Sequence, residues 1–361
     1  MTTVFMHIGS SKTGTSAIQV FLGDNIEALE KQGIAFPIFD IQWPTVRCQR
    51  NAHFMVDKTE EKEENYANIV GQIKDLAKKY DRIILTDESI WNNPKNVKRF
   101  SDDMKDAGIA LKLVVYLRRQ DLYLQSQWAQ NVKENMTIDF YNYTKEFRIK
   151  MNYYEQLCKL SDVVGKENLF VRPYEKQQFA EGNLIIDFMN TVGIEKRDNL
   201  KFQEKANNLS LSGIYLETKR MLNRHEAFAT RANFVVPYLY KVMEENDDVQ
   251  FYSDNKFFTY DQQMEFLTPF LEGNASVARE FLGREDGKFF YDEIVKNEGT
   301  EETYATEEYM DVMARIVLIQ QEKIERLKTK LENAQAALQK KQPVTFSQRV
   351  KRKIKRIIKR K

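Results

Sequence analysis

Residues 4–8 form a short apolar run broken only by His7, and it stops at Gly9. Gly9-Ser-Ser-Lys-Thr-Gly-Thr-Ser16 follows, eight residues with nothing to bury. From Ala17 onward, apolar side chains return at helical spacing through Ile18, Phe21, Leu22, Ile26 and Leu29. This order predicts a strand, a tight loop and a helix. It constrains the fold strongly, because a strand that passes into a helix across a short loop is the opening half of a parallel crossover. The succession repeats. Residues 33–39, 82–85, 111–117 and 168–172 read as strands, and residues 69–79, 97–104 and 122–132 as helices. Residues 41–65 are polar and read as a loop, with acids at Glu60, Glu61, Glu63 and Glu64. Alternating strands and helices predict an α/β fold, a P-loop-like parallel sheet flanked by helices. Ligands of such sheets bind beyond the carboxyl ends of the strands. Ser10 to Ser16, Asp87, Glu88, Arg118 and Tyr174 all fall there.

From about residue 209 the pattern turns mostly helical. Met310, Met313, Val317, Gln320, Ile324, Leu327, Leu331, Ala334 and Leu338 alternate by three and four, and Pro343 ends the run. That is a heptad seam with one polar position. The expected organisation is an α/β domain over 1–300, a long helix or coiled coil over 305–342, and a basic tail over 343–361. The seam suits either a homodimer through 308–341 or packing onto the chain's own body. Hydrophobic residues make up 42% of the 361, enough for a sizeable core, so wholesale disorder is excluded. The two cysteines, Cys48 and Cys158, build neither a disulfide framework nor a cysteine zinc site and fit a reducing compartment. The first residues lack a signal-peptide pattern and no apolar run reaches membrane-spanning length, so the cytoplasm is the expected location.

The net charge of +2 hides an asymmetry. Residues 349–361 hold nine Lys or Arg and no acid, which leaves 1–348 at −7. An acidic body lacks the basic footprint of a nucleic-acid-binding domain. In the tail, Val350, Ile354, Ile357 and Ile358 share one helical face and cations cover the rest. That suits peripheral docking on an anionic membrane surface, at the inner face of the membrane.

The loop has the G-x-x-x-x-G frame of a phosphate cradle, in which backbone N–H groups and a helix N-terminus face an anion. Nucleotide triphosphatases place lysine directly after the second glycine. Here that position is Thr15, and the lysine is Lys12, two residues before Gly14. In this the chain resembles the sulfotransferases that use 3'-phosphoadenosine 5'-phosphosulfate (PAPS), whose 5'-phosphosulfate loop has the same Lys-Thr-Gly-Thr core. The resemblance assigns Ser11, Lys12, Thr13, Gly14, Thr15 and Ser16 to the phosphosulfate. Tyr116-Leu-Arg-Arg-Gln-Asp-Leu-Tyr-Leu-Gln-Ser-Gln-Trp128 is similar to the family's 3'-phosphate motif, an Arg ending a strand (Arg118) and a Ser eight residues later (Ser126). Arg-Arg-Gln-Asp is closer to the bacterial carbohydrate (capsule or glycan) type. Val171-Arg-Pro-Tyr-Glu175 is similar to the family's Tyr-Glu turn and puts Tyr174 near the adenine. Asn208-Leu-Ser-Leu-Ser212 matches a bacterial segment too, but reads first as N-capping by Ser210 or Ser212.

The implied reaction is PAPS-dependent transfer of a sulfuryl group to a hydroxyl of a glycan or glycolipid acceptor, with no metal required. Lys12 is placed to stabilise the leaving phosphate. Glu88 is the expected general base, at the strand end where the family's soluble members keep a histidine. His53 is the rival base, and His7, inside the first strand, reads as structural. Arg47, Arg50 and Arg119 suit an anionic acceptor, but read first as solvated surface residues. Two other readings stand beside this one. Arg82-Ile-Ile-Leu-Thr-Asp-Glu88 mimics the acidic magnesium pair of a P-loop kinase or NTPase, and the long helix alone fits a non-catalytic coiled-coil scaffold.

Overall fold

The computed structural model describes residues 1–39, 49–147, 151–202, 209–246, 250–251, 257–294, 296 and 304–341. Arg47, Cys48, Asn208, Pro343 and the 349–361 tail lie outside the described residues. Five strands, β1 (Thr3–His7), β2 (Ile34–Ala35), β3 (Arg82–Thr86), β4 (Ala110–Leu117) and β5 (Leu169–Pro173), form one sheet in the order β2-β3-β1-β4-β5. Every neighbouring pair is parallel, with His7 opposite both Thr86 and Val114. The carboxyl ends therefore line up along one edge of the sheet. The expected α/β class and parallel sheet are present.

Side chains alternate across the sheet as the strand period requires. Val4, Met6 and Ile8 pack with Ile83, Leu85 and Leu113 on one face, under the helices Lys62–Leu76, Pro94–Asp106 and Tyr153–Val164. Phe5, Ile84, Val114 and Tyr116 pack on the other, under the helices Thr15–Asp24 and Leu184–Val192. A third cluster lies beside the sheet. Leu124, Trp128 and Val132 of the helix Gln120–Glu134 bury against Tyr215, Leu239 and Val242 of two later helices, Gly213–Leu222 and Ala232–Glu245.

Three expectations need correction. The second strand is two residues long rather than seven, because Pro37 has no N–H to continue a ladder. Residues 41–65 are not simply a polar loop. The turn His53–Met55 buries Phe54 and Met55 in the core, and a helix starts at Lys62. Ser212 occupies the N-cap of the helix Gly213–Leu222 but makes no side-chain cap bond, and Ser210 pairs instead in a small antiparallel ribbon with Gln250.

The last described element is the 36-residue helix Thr306–Lys341. Its first turns bury Val312, Ile316 and Ile319 in the third cluster. Of the expected seam, Met313 packs against the same cluster, whereas Met310 is 64% and Val317 58% exposed. Among the described residues no helix is long and apolar enough to cross a membrane.

Candidate functional site

Beyond β1 the backbone keeps following β4. Tyr116 N donates to Gly9 O and Ser10 N to Tyr116 O, both at 3.1 Å. Gly9 has φ 91°, and a Cβ there would stand 2.8 Å from Glu88 Cα, so conformation and close approach both demand glycine. Gly14, at φ 74°, would drive a Cβ into Leu184 and against the Tyr174 ring. Lys12 also takes a positive φ, 63°, which is uncommon outside glycine. The Thr13 and Thr15 hydroxyls turn inward to Ser10 O, at 2.5 and 3.4 Å. Thr13 is fully buried, so its side chain shapes the loop. Gly14 is the N-cap of the helix Thr15–Asp24 without a side-chain cap bond. Its first-turn N–H groups thus keep the anion-attracting character of a helix start.

The loop leans on the helix Gln120–Glu134. Lys12 Nζ donates to Gln130 Oε1 at 3.1 Å, and Ser11 Oγ lies 3.3 Å from Tyr123 OH and 3.4 Å from Gln127 Oε1. Burial, and then Lys133, lower the Lys12 ammonium to about 8, Glu134 and Glu88 oppose the shift, and Arg118 adds to it. Sequence reasoning passed over Tyr123, Gln127 and Gln130. Their spacing of four and three on a helix already expected was the available signal.

The end of β3 carries a denser network. β2 covers β3 only at Arg82 and Ile83, and residues 51–52 take over its edge. Asn51 Oδ1 accepts from Thr86 N at 2.8 Å, Asn51 Nδ2 donates to Ile84 O at 3.1 Å, and Ala52 N donates to Thr86 O at 3.3 Å. That docking delivers Arg50 and His53 to Asp87, which is fully buried. Asp87 Oδ1 accepts from Arg50 Nη2 and Ser89 N at 2.7 Å, and its Oδ2 lies 2.9 Å from His53 Nδ1. Burial pushes the Asp87 carboxyl up, but His53, Arg50 and Ser89 together hold it below the usual carboxylate range. Arg50 is therefore an internal ion-pair partner and not a solvated arginine. Glu88 Oε2 accepts from Gln19 Nε2 at 3.2 Å and faces Arg50 Nε at 3.6 Å. Behind them, His7 is fully buried against Tyr116 and Phe188, with Nδ1 3.0 Å from Thr86 Oγ1. Burial lowers it to about 4, against the pull of Asp87, so it sits neutral in a structural position.

At the end of β4, Arg118 is 8% exposed and its guanidinium stands 5.9 Å from the Tyr174 ring centre. Its carbonyl accepts from Tyr153 OH at 2.7 Å. Ser126 lies buried one helical turn before Gln130. Tyr174 N donates to Leu117 O at 2.7 Å, which fixes the turn after β5 beside β4, and burial raises its phenol. Arg119 departs from both of its expected roles. Asp121 holds it at 2.8 and 3.0 Å and it donates to Asp292 O at 2.6 Å, so it is a buried brace.

Lys12, Glu88, Arg118, Ser126 and Tyr174 thus gather at one edge of the sheet, and His53 joins them through Asp87 and Arg50. Ser16 is exposed at the start of the first helix. Among the described residues there is no cluster of three or more His, Cys, Asp or Glu able to hold a metal ion.

No family model matches the chain. An uncharacterized protein of Archaeoglobus fulgidus is 32% identical over 174 residues, which are 48% of this chain and 46% of that protein. The chain therefore matches about half the length of this curated relative. A sulfotransferase from Alicyclobacillus acidocaldarius, known from its crystal structure, overlaps 66% of this chain and 95% of its own, at 16% identity and a TM-score of 0.36.

Proposed function

We propose that the chain transfers a sulfuryl group from PAPS to a hydroxyl of a carbohydrate acceptor. What supports the reading is one juxtaposition. The glycine-framed loop at Gly9–Gly14 meets Tyr174, Tyr174 lies against Arg118, and Lys12 feels the charges of both Arg118 and Glu88. A donor with a phosphosulfate at one end, an adenosine in the middle and a 3'-phosphate at the other needs that sequence of partners. The loop and first helix meet the phosphosulfate. Tyr174 flanks the adenosine, and Arg118 with Ser126 takes the 3'-phosphate.

The chemistry asked of the side chains is modest. An acceptor oxygen forms a bond to sulfur as the sulfur–oxygen bond to the 5'-phosphate breaks, and the leaving phosphate takes the electron pair. Lys12 neutralises that growing charge. A base at the end of β3, where Glu88 and His53 stand, takes the hydroxyl proton. A carbohydrate acceptor is inferred from the Arg118-Arg-Gln-Asp121 pattern. The kinase reading needs Asp87 for magnesium, but Arg50, Ser89 and His53 already engage both Asp87 oxygens. Thermal shift separates the two readings. Stabilisation by adenosine 3',5'-bisphosphate and not by Mg-ATP is expected, and the reverse would replace this function with the kinase one. Labelled-sulfate transfer from PAPS to a glycan panel then identifies the acceptor.

A further inference from the structure

Resting on that functional reading, which gives Arg118 the 3'-phosphate, we propose that Gln263 and Asn274 are positioning residues for the 3'-phosphate site and act on Arg118 through Arg119-Gln-Asp121. Of the side chains in Arg118-Arg-Gln-Asp121, Arg118 stands against Tyr174, and the other three turn to the C-terminal part of the chain. Asp121, fully buried, is the hub. Its Oδ1 accepts from Arg119 Nε at 2.8 Å, and its Oδ2 accepts from Arg119 Nη2 at 3.0 Å and from Gln263 Nε2. Gln120 is buried too and exchanges a pair of bonds with Asn274. Its Nε2 donates to Asn274 Oδ1 at 2.7 Å, and Asn274 Nδ2 donates to Gln120 Oε1 at 3.0 Å. Gln263 and Asn274 lie on the helices Tyr260–Leu267 and Leu271–Leu282, 142 and 154 positions from their partners.

Burying this network costs the hydration of a carboxylate, a guanidinium and an amide, and apolar side chains would hold the two helices to the body at less cost. What the polar groups add is direction, because each bond fixes an angle as well as a contact. Arg118 and Arg119 make the whole passage from β4 to the helix Gln120–Glu134. The sheet fixes that passage on its strand side, Tyr153 OH holds the Arg118 carbonyl at 2.7 Å, and the Asp121 and Gln120 bonds fix its helix side. A guanidinium fork meets a phosphate along set directions, so a small rotation of the passage loses bonds to it. The 3'-phosphate on Arg118 therefore senses Gln263 and Asn274. The 5' end of the donor, on the Gly9–Gly14 loop, does not depend on them.

Calorimetric titration of the full-length protein tests this by comparing adenosine 3',5'-bisphosphate with adenosine 5'-monophosphate, which lacks the 3'-phosphate. The unaltered protein should prefer the bisphosphate by about 10-fold or more. Gln263→Ala with Asn274→Ala, both at half-buried positions, should cut that preference by about 3- to 10-fold and change affinity for the monophosphate by less than about 2-fold. In an Arg118→Ala background the same pair should leave the preference where Arg118→Ala alone puts it, because the path runs through Arg118. An equal loss for both nucleotides marks a purely structural role and overturns the proposal. So does a further loss of preference in the Arg118→Ala background. Should the pair fail to fold, each single substitution removes one link and should show the same selective loss, and an equal loss for both nucleotides again overturns it. If the unaltered protein binds the two nucleotides alike, Arg118 takes no 3'-phosphate, and the functional reading fails and the positioning role with it. A preference in the unaltered protein that the substitutions leave intact removes the positioning role alone.

Discussion

Lys12 shows at the scale of one residue how the loop's shape sets its chemistry. A positive φ and a bond to Gln130 turn its side chain over the helix Gln120–Glu134, where burial and Lys133 lower it to about 8. Its charge is present below that value and lost above it. Affinity for adenosine 3',5'-bisphosphate should therefore fall as pH rises through about 8, and calorimetric titration of Lys12→Ala should lose that dependence. A pH profile unchanged by the substitution would remove Lys12 from the anion site. Turnover of Lys12→Ala should drop by roughly two orders of magnitude. His7 makes the second residue-scale prediction. Its folded value is lowered from 6.5 to about 4, so between those values the unfolded chain holds a proton that the folded one does not. Stability is unaffected by His7 above pH 6.5 and declines as pH falls toward 4, by about 3 kcal/mol in total. Urea unfolding of His7→Gln should show a shallower loss across that window, and an equal slope would contradict it. The motif residues were legible in the sequence because a loop and a strand end are local. Arg50 was misjudged because its bond to Asp87 joins residues 37 positions apart, and no short-range pattern announces it.

The long C-terminal helix illustrates the same limit at the scale of elements. Its length was legible, but two apolar stripes run along it and periodicity alone does not say which one the body takes. The structure buries Val312, Ile316 and Ile319, roughly 1.5–3 kcal/mol for each side chain. This leaves Ile324, Leu327 and Leu331 between 46% and 59% exposed. Self-association is proposed to use that remaining stripe, with Met310, Val317, Ile324 and Leu331 at equivalent heptad positions. In a parallel pair, Lys323 of one helix would flank Lys328 of the other, so the dimer should strengthen with salt as that repulsion is screened. Light scattering at low and high salt tests it. Ile324→Lys with Leu331→Lys should give the monomer mass with an unchanged Tm, since both positions lie outside the core. The same mass with and without these substitutions would exclude the dimer. β2 failed in the other direction. Its apolar run was read through Pro37, where the ladder must end, and Asn51 finishes the edge with its side-chain amide.

For the whole molecule, the alternation of strands and helices predicted a parallel sheet, and a parallel sheet forces all carboxyl ends to one edge. That is why candidate residues scattered from Lys12 to Tyr174 were legible as lying along one edge of the sheet before their contacts were known. The strand order was not legible, because any right-handed arrangement satisfies the same alternation. The remaining feature at this scale is charge. A body at −7 joined to a tail with nine cations is a dipolar chain whose tail is attracted to anionic surfaces that repel the rest. Each cation near an anionic leaflet contributes about 1 kcal/mol, and burial of Val350, Ile354, Ile357 and Ile358 in the headgroup region adds an apolar term that nucleic acid does not offer. We propose that the tail holds the chain at the membrane, beside the lipid-linked glycans that the proposed function would take as acceptors. Full-length protein should co-sediment with anionic vesicles at physiological salt and not with neutral ones, and a 1–342 truncation should stay in the supernatant. Ile354→Ser, Ile357→Ser and Ile358→Ser together keep every cation and remove most of the stripe, so they should weaken vesicle binding while leaving affinity for polyphosphate in place. Equal vesicle binding by the full chain and the truncation would end the anchor proposal. Retained binding by the triple variant would reduce the anchor to simple charge attraction.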